Sequence, residues 1–500
     1  MPSLLIRDVR RVPLAAADTS DAEPVDVLIE DGTVAQLGRG LDGADDVIEG
    51  DGRWLIPGLW DQHVHLGQWT LTSSRLDLAS ADSPEDAVRR TQERAAEQPG
   101  SPVIGWGHRP AAWHREPTVA DLDLAVPDVP VVLICGDGHH AWLNSRAMAA
   151  LQLPLREGMV AEYEWFAAYS RLDELTDGSA SSPSAYRRTL EAAAAKGIVG
   201  LVDFEFGAPV SDWTDRWAKG ADLLRVQVAT YAEHLDGIIE SGLRTGTALP
   251  GCGGLATMGS LKIISDGSIN TRTAWCCAPY AEGADPEHPS GRPNLPASEL
   301  RALIRRASVN GLEVATHAIG DAAVDAALTA YAETGARGSI EHAQLVNRAD
   351  VDRLAGLGLR ASVQPAHLLD DRDITERYWP DRTGRCFALR WMLDAGVTLV
   401  LGSDAPVSPL DPWLAMAAAV HRSADFRDAW HPEQALTARE ALAASTNGVG
   451  TVTAGQPADL ALLDADPLGE PGDAAEVASR LRSMTVSATV VAGRLVHRRG

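Results

Sequence analysis

Two histidines spaced two residues apart, His63 and His65, close the run Leu55-Ile56-Pro57-Gly58-Leu59-Trp60-Asp61-Gln62-His63-Val64-His65. In an extended strand, residues i and i+2 project from the same face, so both imidazoles can reach one small cation. Neutral imidazoles are ligands for zinc and similar borderline metals. The pair alone says little, because surface strands carry H-x-H by chance. Further polar groups at the ends of apolar segments give it weight. Lys262 stands inside Gly259-Ser260-Leu261-Lys262-Ile263-Ile264-Ser265-Asp266. A buried lysine is costly unless it is neutral or paired, and an ion pair with Asp266 is one way out. Val314-Ala315-Thr316-His317 and Ser339-Ile340-Glu341-His342 each end in histidine, and Thr398-Leu399-Val400-Leu401-Gly402-Ser403-Asp404 ends in aspartate. Any one of these could be a packed or capping residue. The series H-x-H, K, H, H, D at successive segment ends is hard to ascribe to packing.

These residues need a scaffold that brings many strand ends together. Residues 1 to about 55 read as short alternating segments broken by Asp-Gly turns, which is hairpin chemistry, and the last 50 or so, about 451–500, repeat that character. Both ends are expected to build one small β-sandwich. Between them, about 56–450, apolar segments alternate with Ala-rich amphipathic stretches, such as Ser184 to Lys196 followed by Ile198 to Asp203. Five such units are clear and eight are expected, giving an α/β fold built on a (β/α)8 barrel, whose active sites lie at the C-terminal ends of the strands. The stretch from about 66 to 183 is too long for a strand-to-helix connection, so an inserted lobe is expected after the first barrel strand, over the barrel mouth. No internal repeat or low-complexity tract interrupts the pattern.

Composition excludes several classes of function. The chain has 500 residues, 45% of them hydrophobic, with a net charge of −25 and a pI near 4.9. That balance argues against nucleic acid and anionic membrane surfaces as partners. Five cysteines without a C-x-x-C pair indicate neither a disulfide framework nor a zinc knuckle, which suits a reducing cytoplasm. No signal peptide or membrane-spanning apolar run is seen, so a soluble, unprocessed cytoplasmic protein is expected.

Beyond the strand-end residues, the chain carries Gly138-His139-His140-Ala141-Trp142-Leu143-Asn144-Ser145, His317-Ala318-Ile319-Gly320-Asp321, Ser362-Val363-Gln364-Pro365-Ala366-His367 and Asp404-Ala405-Pro406-Val407-Ser408-Pro409-Leu410-Asp411-Pro412. As a set these motifs resemble the metal-dependent amidohydrolase superfamily, and within it amidohydrolase family 3, the YtcJ-like proteins related to N-substituted formamide deformylase. The resemblance covers nearly the whole chain and implies a distorted (β/α)8 TIM barrel with a β-sandwich from both termini. It further implies that His63 and His65 bind the more buried of two metals, that Lys262 is carbamylated and bridges them, and that His317 and His342 bind the second. Asp404 would be both ligand and proton shuttle. The metals would be zinc, with manganese, iron or cobalt as alternatives. A hydroxide held between two cations would be a nucleophile at neutral pH, and Asp404 could pass its proton to a leaving amine.

The expected reaction is therefore hydrolysis of a carbon–nitrogen bond other than a peptide bond, in an amide or an N-formyl or N-acyl group of a small molecule. The same site could instead open a cyclic amide, deaminate, cleave an ester or run a lyase or isomerase reaction, and a non-catalytic binding protein is a third reading. Among secondary candidates, His139 could act on the oxyanion as a catalytic residue, while Asp266, Trp69, Trp142, Asn144, Gln364 and His367 could touch substrate. Asp321 reads as a helix N-cap, and Asp61 as a support behind a ligand. Fourteen tryptophans, against seven tyrosines and five phenylalanines, favour an aromatic or apolar substrate, although core packing accounts for most of them. The segments Arg156 to Glu164 and Thr446 to Pro457 look abbreviated against relatives, which makes substrate transfer from any of them unsafe. A homodimer is compatible with the superfamily.

Overall fold

The computed structural model describes residues 3–499 except 16–17, 19–22, 74, 111–112, 136–139, 170, 177–181, 208, 425–426 and 471. The chain divides into two compact units, Met1–Leu66 with Arg187–Gly500, and Gly67–Tyr186.

The larger unit contains the barrel. Its eight strands are β1 (Leu59–Val64), β2 (Ile198–Asp203), β3 (Arg225–Thr230), β4 (Ala256–Ile264), β5 (Val314–Ala318), β6 (Gly338–His342), β7 (Arg360–Val363) and β8 (Thr398–Leu401). They pair in chain order, with every ladder parallel. Closure comes from Val64 pairing with Ala405 just beyond β8. Every residue of β1, β2 and β6 is buried, as expected for parallel strands covered on both faces. The helix Ala297–Val309 shows how the outer layer packs. Leu300, Ile304 and Ala307 are its buried positions, a spacing of four and three that draws one apolar stripe down a helix.

The two ends of the chain meet in the same unit. Leu4–Arg11 is shared between two sheets. On one side it pairs with Val25–Glu30 and Asp46–Glu49, and on the other with Trp54–Pro57, which leads on to Leu460–Leu463, Val486–Val491 and Arg494–Arg498. One apolar core joins them, with Leu4, Ile6, Val27 and Ile29 packed among Leu460, Leu462 and Val490. Trp54–Pro57 runs through Gly58 straight into β1, so the sandwich anchors the strand that carries the histidine pair. The smaller unit has its own five-stranded sheet, in the order Val160–Ala161, His140–Leu143, Val131–Cys135, Val103–His108, Leu76–Asp77, and its own apolar clusters. No helix of the described residues is long and apolar enough to cross a membrane.

Register between β5 and β6 matters for the site, because the ladder that starts at Val314 and Gly338 ends at Ala318 and His342. Gly338 has φ +149°, and a Cβ there would lie 1.8 Å from the Val314 carbonyl oxygen. A side chain cannot be accommodated without moving backbone. Gly338→Ala is expected to lower stability by about 2–4 kcal/mol, measured by urea unfolding; an unchanged midpoint would show that the ladder tolerates the shift.

Candidate metal centre

The C-terminal ends of the barrel strands bring the sequence-predicted ligands together. β1 carries His63 and is followed by His65, whose ring lies 5.7 Å from that of His63. His63, His342 and Asp404 are all buried, and each offers one ligand atom within 4.8 Å of the other two. Asp404 Oδ1 is 3.4 Å from His63 Nε2 and 3.5 Å from His65 Nε2. Lys262 Nζ, from β4, lies 3.2 Å from His63 Nε2 and 4.1 Å from the centre of the Phe204 ring. His317 stands beside this cluster rather than in it. Its ring packs edge-on against His342 at 4.6 Å, while its Nε2 turns toward Gly267 O and Asp266 Oδ1, both at 3.3 Å.

Local backbone conformation explains how two of these groups reach the site. Ser339 and Glu341 alternate along β6 and line the barrel interior, so a regular strand would send the next residue to the opposite side. His342 instead adopts φ +69°, and Asp404 adopts φ +55°. Non-glycine residues in this left-handed region carry about 1–3 kcal/mol of strain and collect at functional sites.

Burial sets the protonation states. Desolvation holds His63 and His342 well below the usual histidine pKa, with the Lys262 charge adding to it at His63 and the His317 charge at His342. It also takes His65 and His367 down to about 4. These imidazoles are neutral and available as donors. Burial pushes Asp404 up to about 7 and brings Lys262 down to about 8. The chain has three lysines. Lys196 and Lys219 are solvent-exposed and each meets a carboxylate at 2.7 Å, whereas Lys262 is 3% exposed and faces imidazole. The ion pair with Asp266 that its spacing allowed does not form. Asp266 is fully buried, and its carboxylate accepts from Trp275 N, Ile319 N and Gly320 N. It therefore braces the loops around His317 and is not open to a substrate.

The donor set suits a divalent cation. Nitrogen and carboxylate donors converge, the imidazoles are neutral, and His65 Nδ1, His342 Nδ1 and His367 Nε2 are buried without a hydrogen-bond partner. Such a combination matches borderline metals.

The remaining candidates fall into three groups. Gln364 and His367 stay near the cluster: Gln364 Nε2 is 3.3 Å from His63 Nδ1, and His367 Nε2 is 3.8 Å from Asp404 Oδ2. Within the smaller unit, Trp142 and Asn144 are corrected by their surroundings. Trp142 is fully buried and donates through Nε1 to Thr118 O. Asn144, also fully buried, caps the helix Ser145–Ala150 and bonds Val131 N, Val126 O and Val129 O. All of their polar capacity goes into that unit's core. Trp69 is half-buried on the helix Leu66–Ser73, and His139 lies outside the described residues. Asp321 is likewise not an N-cap, since Gly320 holds that position; its carboxylate accepts from Cys277 N and Arg385.

Three residues support the cluster; Asp61 was expected from the sequence, whereas Glu341 and Phe206 carried little signal there. Glu341, 1% exposed, brings Oε2 to 2.8 Å from His63 Nδ1. Asp61 accepts from His63 N and, through both oxygens, from Ser403 N. Phe206 stacks on His65 at 5.3 Å.

Known proteins share this fold. The profile of the amidohydrolase family matches residues 46–497. The chain belongs to the amidohydrolase family. Among its relatives, YtcJ of Bacillus subtilis is 26% identical, with 89% of each chain covered. The N-substituted formamide deformylase of Arthrobacter pascens is also 26% identical, with 95% of each covered. The crystal structure of an uncharacterized metal-dependent hydrolase from Pyrococcus horikoshii shares the fold, with a TM-score of 0.73 at 24% identity over 94% of this chain and 98% of that one.

Carboxylates behind metal-binding histidines fix the ring and its tautomer, and their loss typically weakens metal binding about 10- to 100-fold. Glu341→Gln is expected to show a loss of that size in chelator competition while the unfolding midpoint stays near that of the parent protein. Unchanged affinity would show that the carboxylate does not support His63.

Proposed function

We propose that this amidohydrolase-family chain is a metal-dependent hydrolase of a carbon–nitrogen bond in a small amide, N-formyl or N-acyl compound that carries an apolar or aromatic group. The observation that carries the reading is the convergence of His63, His342 and Asp404 with a buried Lys262 that reaches the same point. A relative that removes formyl groups from N-substituted formamides by name supports the choice of bond.

His63, His65, His342 and Asp404 would hold the metal, with His317 joining after its ring turns from Gly267. A bound divalent cation, zinc in the first instance, supplies polarisation of a carbonyl and activation of water. Lys262 has the properties of an amine that takes up carbon dioxide. Its lone pair is free in the neutral form, and addition of carbon dioxide to Nζ forms an N–C bond and releases one proton, leaving an anionic carbamate in place of a charge that the site disfavours. Asp404, with a carboxyl near neutrality, is suited to take a proton from the attacking water at Oδ and return it to the departing nitrogen, a role worth about 10²- to 10⁴-fold. His367 lies behind the other oxygen of Asp404 and can orient it.

An apolar lip flanks this cluster. Phe206, past the end of β2, is 47% exposed and stacks on His65 and Tyr231. Val407, three residues past Asp404, is 65% exposed. Two exposed apolar side chains beside ligands on neighbouring strand ends favour an apolar substituent on the substrate.

Two tests separate the parts of this proposal. Across a panel of N-formyl, N-acyl, cyclic amide and ester substrates, turnover is expected for the open amides, with Lys262→Ala and Asp404→Asn each lowering kcat by at least about 100-fold. Loss of metal from Lys262→Ala with full hydrolysis retained would overturn the mechanism. For the lip, Phe206→Ala is expected to raise KM roughly 10-fold for aromatic amides and leave N-methyl amides and metal content unchanged. An equal effect on both substrates would remove Phe206 from substrate recognition.

A further inference from the structure

Below the metal centre the barrel is not filled with branched apolar side chains, as barrel interiors usually are. A small cavity with about 30 Å³ open to water lies there, lined mostly by polar groups drawn from five of the eight strands and adjoining loops. Its outer rim includes Glu313, just before β5, and Arg360, the first residue of β7, which form an ion pair at 2.7 Å. The opening is therefore at the N-terminal ends of the strands, opposite the ligand cluster. Its inner end reaches Phe204 and Glu341. Directly beyond these stand His63, 4.6 Å from the Phe204 ring and 2.8 Å from Glu341 Oε2, and Lys262.

Two lining atoms make no hydrogen bond, although one of them, Glu341 Oε2, lies 2.8 Å from His63 Nδ1. Ser362 Oγ and Glu341 Oε2 are both buried, in residues only 2% and 1% exposed. Ser339 Oγ satisfies the other oxygen of Glu341 at 2.5 Å. Buried polar atoms are rarely orphaned, and a polar cavity with several hydrogen-bonding groups takes up water, whereas stable empty cavities are apolar.

We infer that this well is a water site: a file of internal water molecules runs from the Arg360–Glu313 rim to Ser362 Oγ and Glu341 Oε2 and holds the Glu341 carboxylate in position behind His63. Solvent thus reaches the back of the metal centre by a route separate from the substrate mouth. Glu341 and Ser362 are positioning residues, acting on the metal through His63. The water site itself rests only on the cavity and those two atoms; its effect on metal binding rests on the reading of the cluster as a metal centre.

The test combines a structural and a thermodynamic readout. Water-oxygen magnetic relaxation dispersion on the whole protein, with and without added zinc, should detect long-lived internal waters, and a crystal structure should place waters on Ser362 Oγ and Glu341 Oε2. Ser362→Val, which puts methyl groups where the inner waters sit, should remove those waters and weaken zinc binding about 10-fold in chelator competition. Ser362→Thr, which keeps the hydroxyl, should restore both. Ser362→Ala serves the same purpose should the valine variant fold poorly, since it removes the hydroxyl without adding bulk. A dry well in the parent protein overturns the inference, as does loss of the waters with zinc affinity unchanged. Failure of the parent protein to bind any metal would instead remove the metal-centre reading, and the relaxation measurement would still decide whether the well is hydrated.

Discussion

The seam between β8 and β1 is the contact on which the site depends. A parallel barrel closes only when its last strand bonds its first, and here the closing bonds are made by the backbone of the candidate ligands themselves. Asp404 N donates to His63 O at 2.7 Å, and His65 N donates to Ala405 O at 2.9 Å. Asp61 locks the same seam from inside, receiving His63 N and Ser403 N on one carboxylate, and burial lifts its pKa to about 6. Gly402 permits the approach, since a Cβ there would lie 2.7 Å from His63 N. Closing the barrel and bringing Asp404 to the histidines are thus one event. On the other side of β1, Asp203 accepts from Leu66 N and from the Trp213 indole, so His65 is fixed from both neighbouring strands.

That arrangement concentrates unfavourable terms in a small volume. Four imidazoles, the Lys262 amine and the Asp404 carboxylate are taken out of water, and two candidate ligands sit in left-handed backbone. Desolvation answers by neutralising the histidines and drawing Lys262 and Asp404 toward neutrality. A cation reverses this balance, because it converts unpaired lone pairs into bonds and favours the ionised carboxylate. Metal binding and folding stability are then linked in the same direction, with the strain at His342 and Asp404 held by the barrel around them.

Much of this was legible in the chain. The Asp31-Gly32 turn announced the hairpin of Val25–Glu30 and Thr33–Gly38, whereas Asp51-Gly52 joins strands that do not pair with each other. Apolar segments ending in histidine or aspartate pointed to a ring of strand ends, because the physics involved is local and periodic. What escaped depends on tertiary detail. Glu341 precedes His342, and alternation assigns adjacent residues to opposite faces; only the positive φ of His342 lets both turn inward. Asp266 looked available beside Lys262, yet three backbone amides, two of them more than fifty residues away, use its carboxylate. Trp142 and Asn144 sit in a motif-like run, and nothing in their spacing tells a pocket wall from the core of a separate unit. Phe206 lies outside the motifs and is marked only by its stacking on His65.

Metal content decides the central claim, that these strand ends form a metal centre. The measurement is elemental analysis of protein purified without chelators and dialysed against trace zinc, compared with a folded His63→Ala/Asp404→Ala variant. One or two divalent ions per chain in the parent protein, lost in the variant, is the outcome the geometry predicts. A parent chain that stays metal-free, or a variant that retains the full complement, would contradict it.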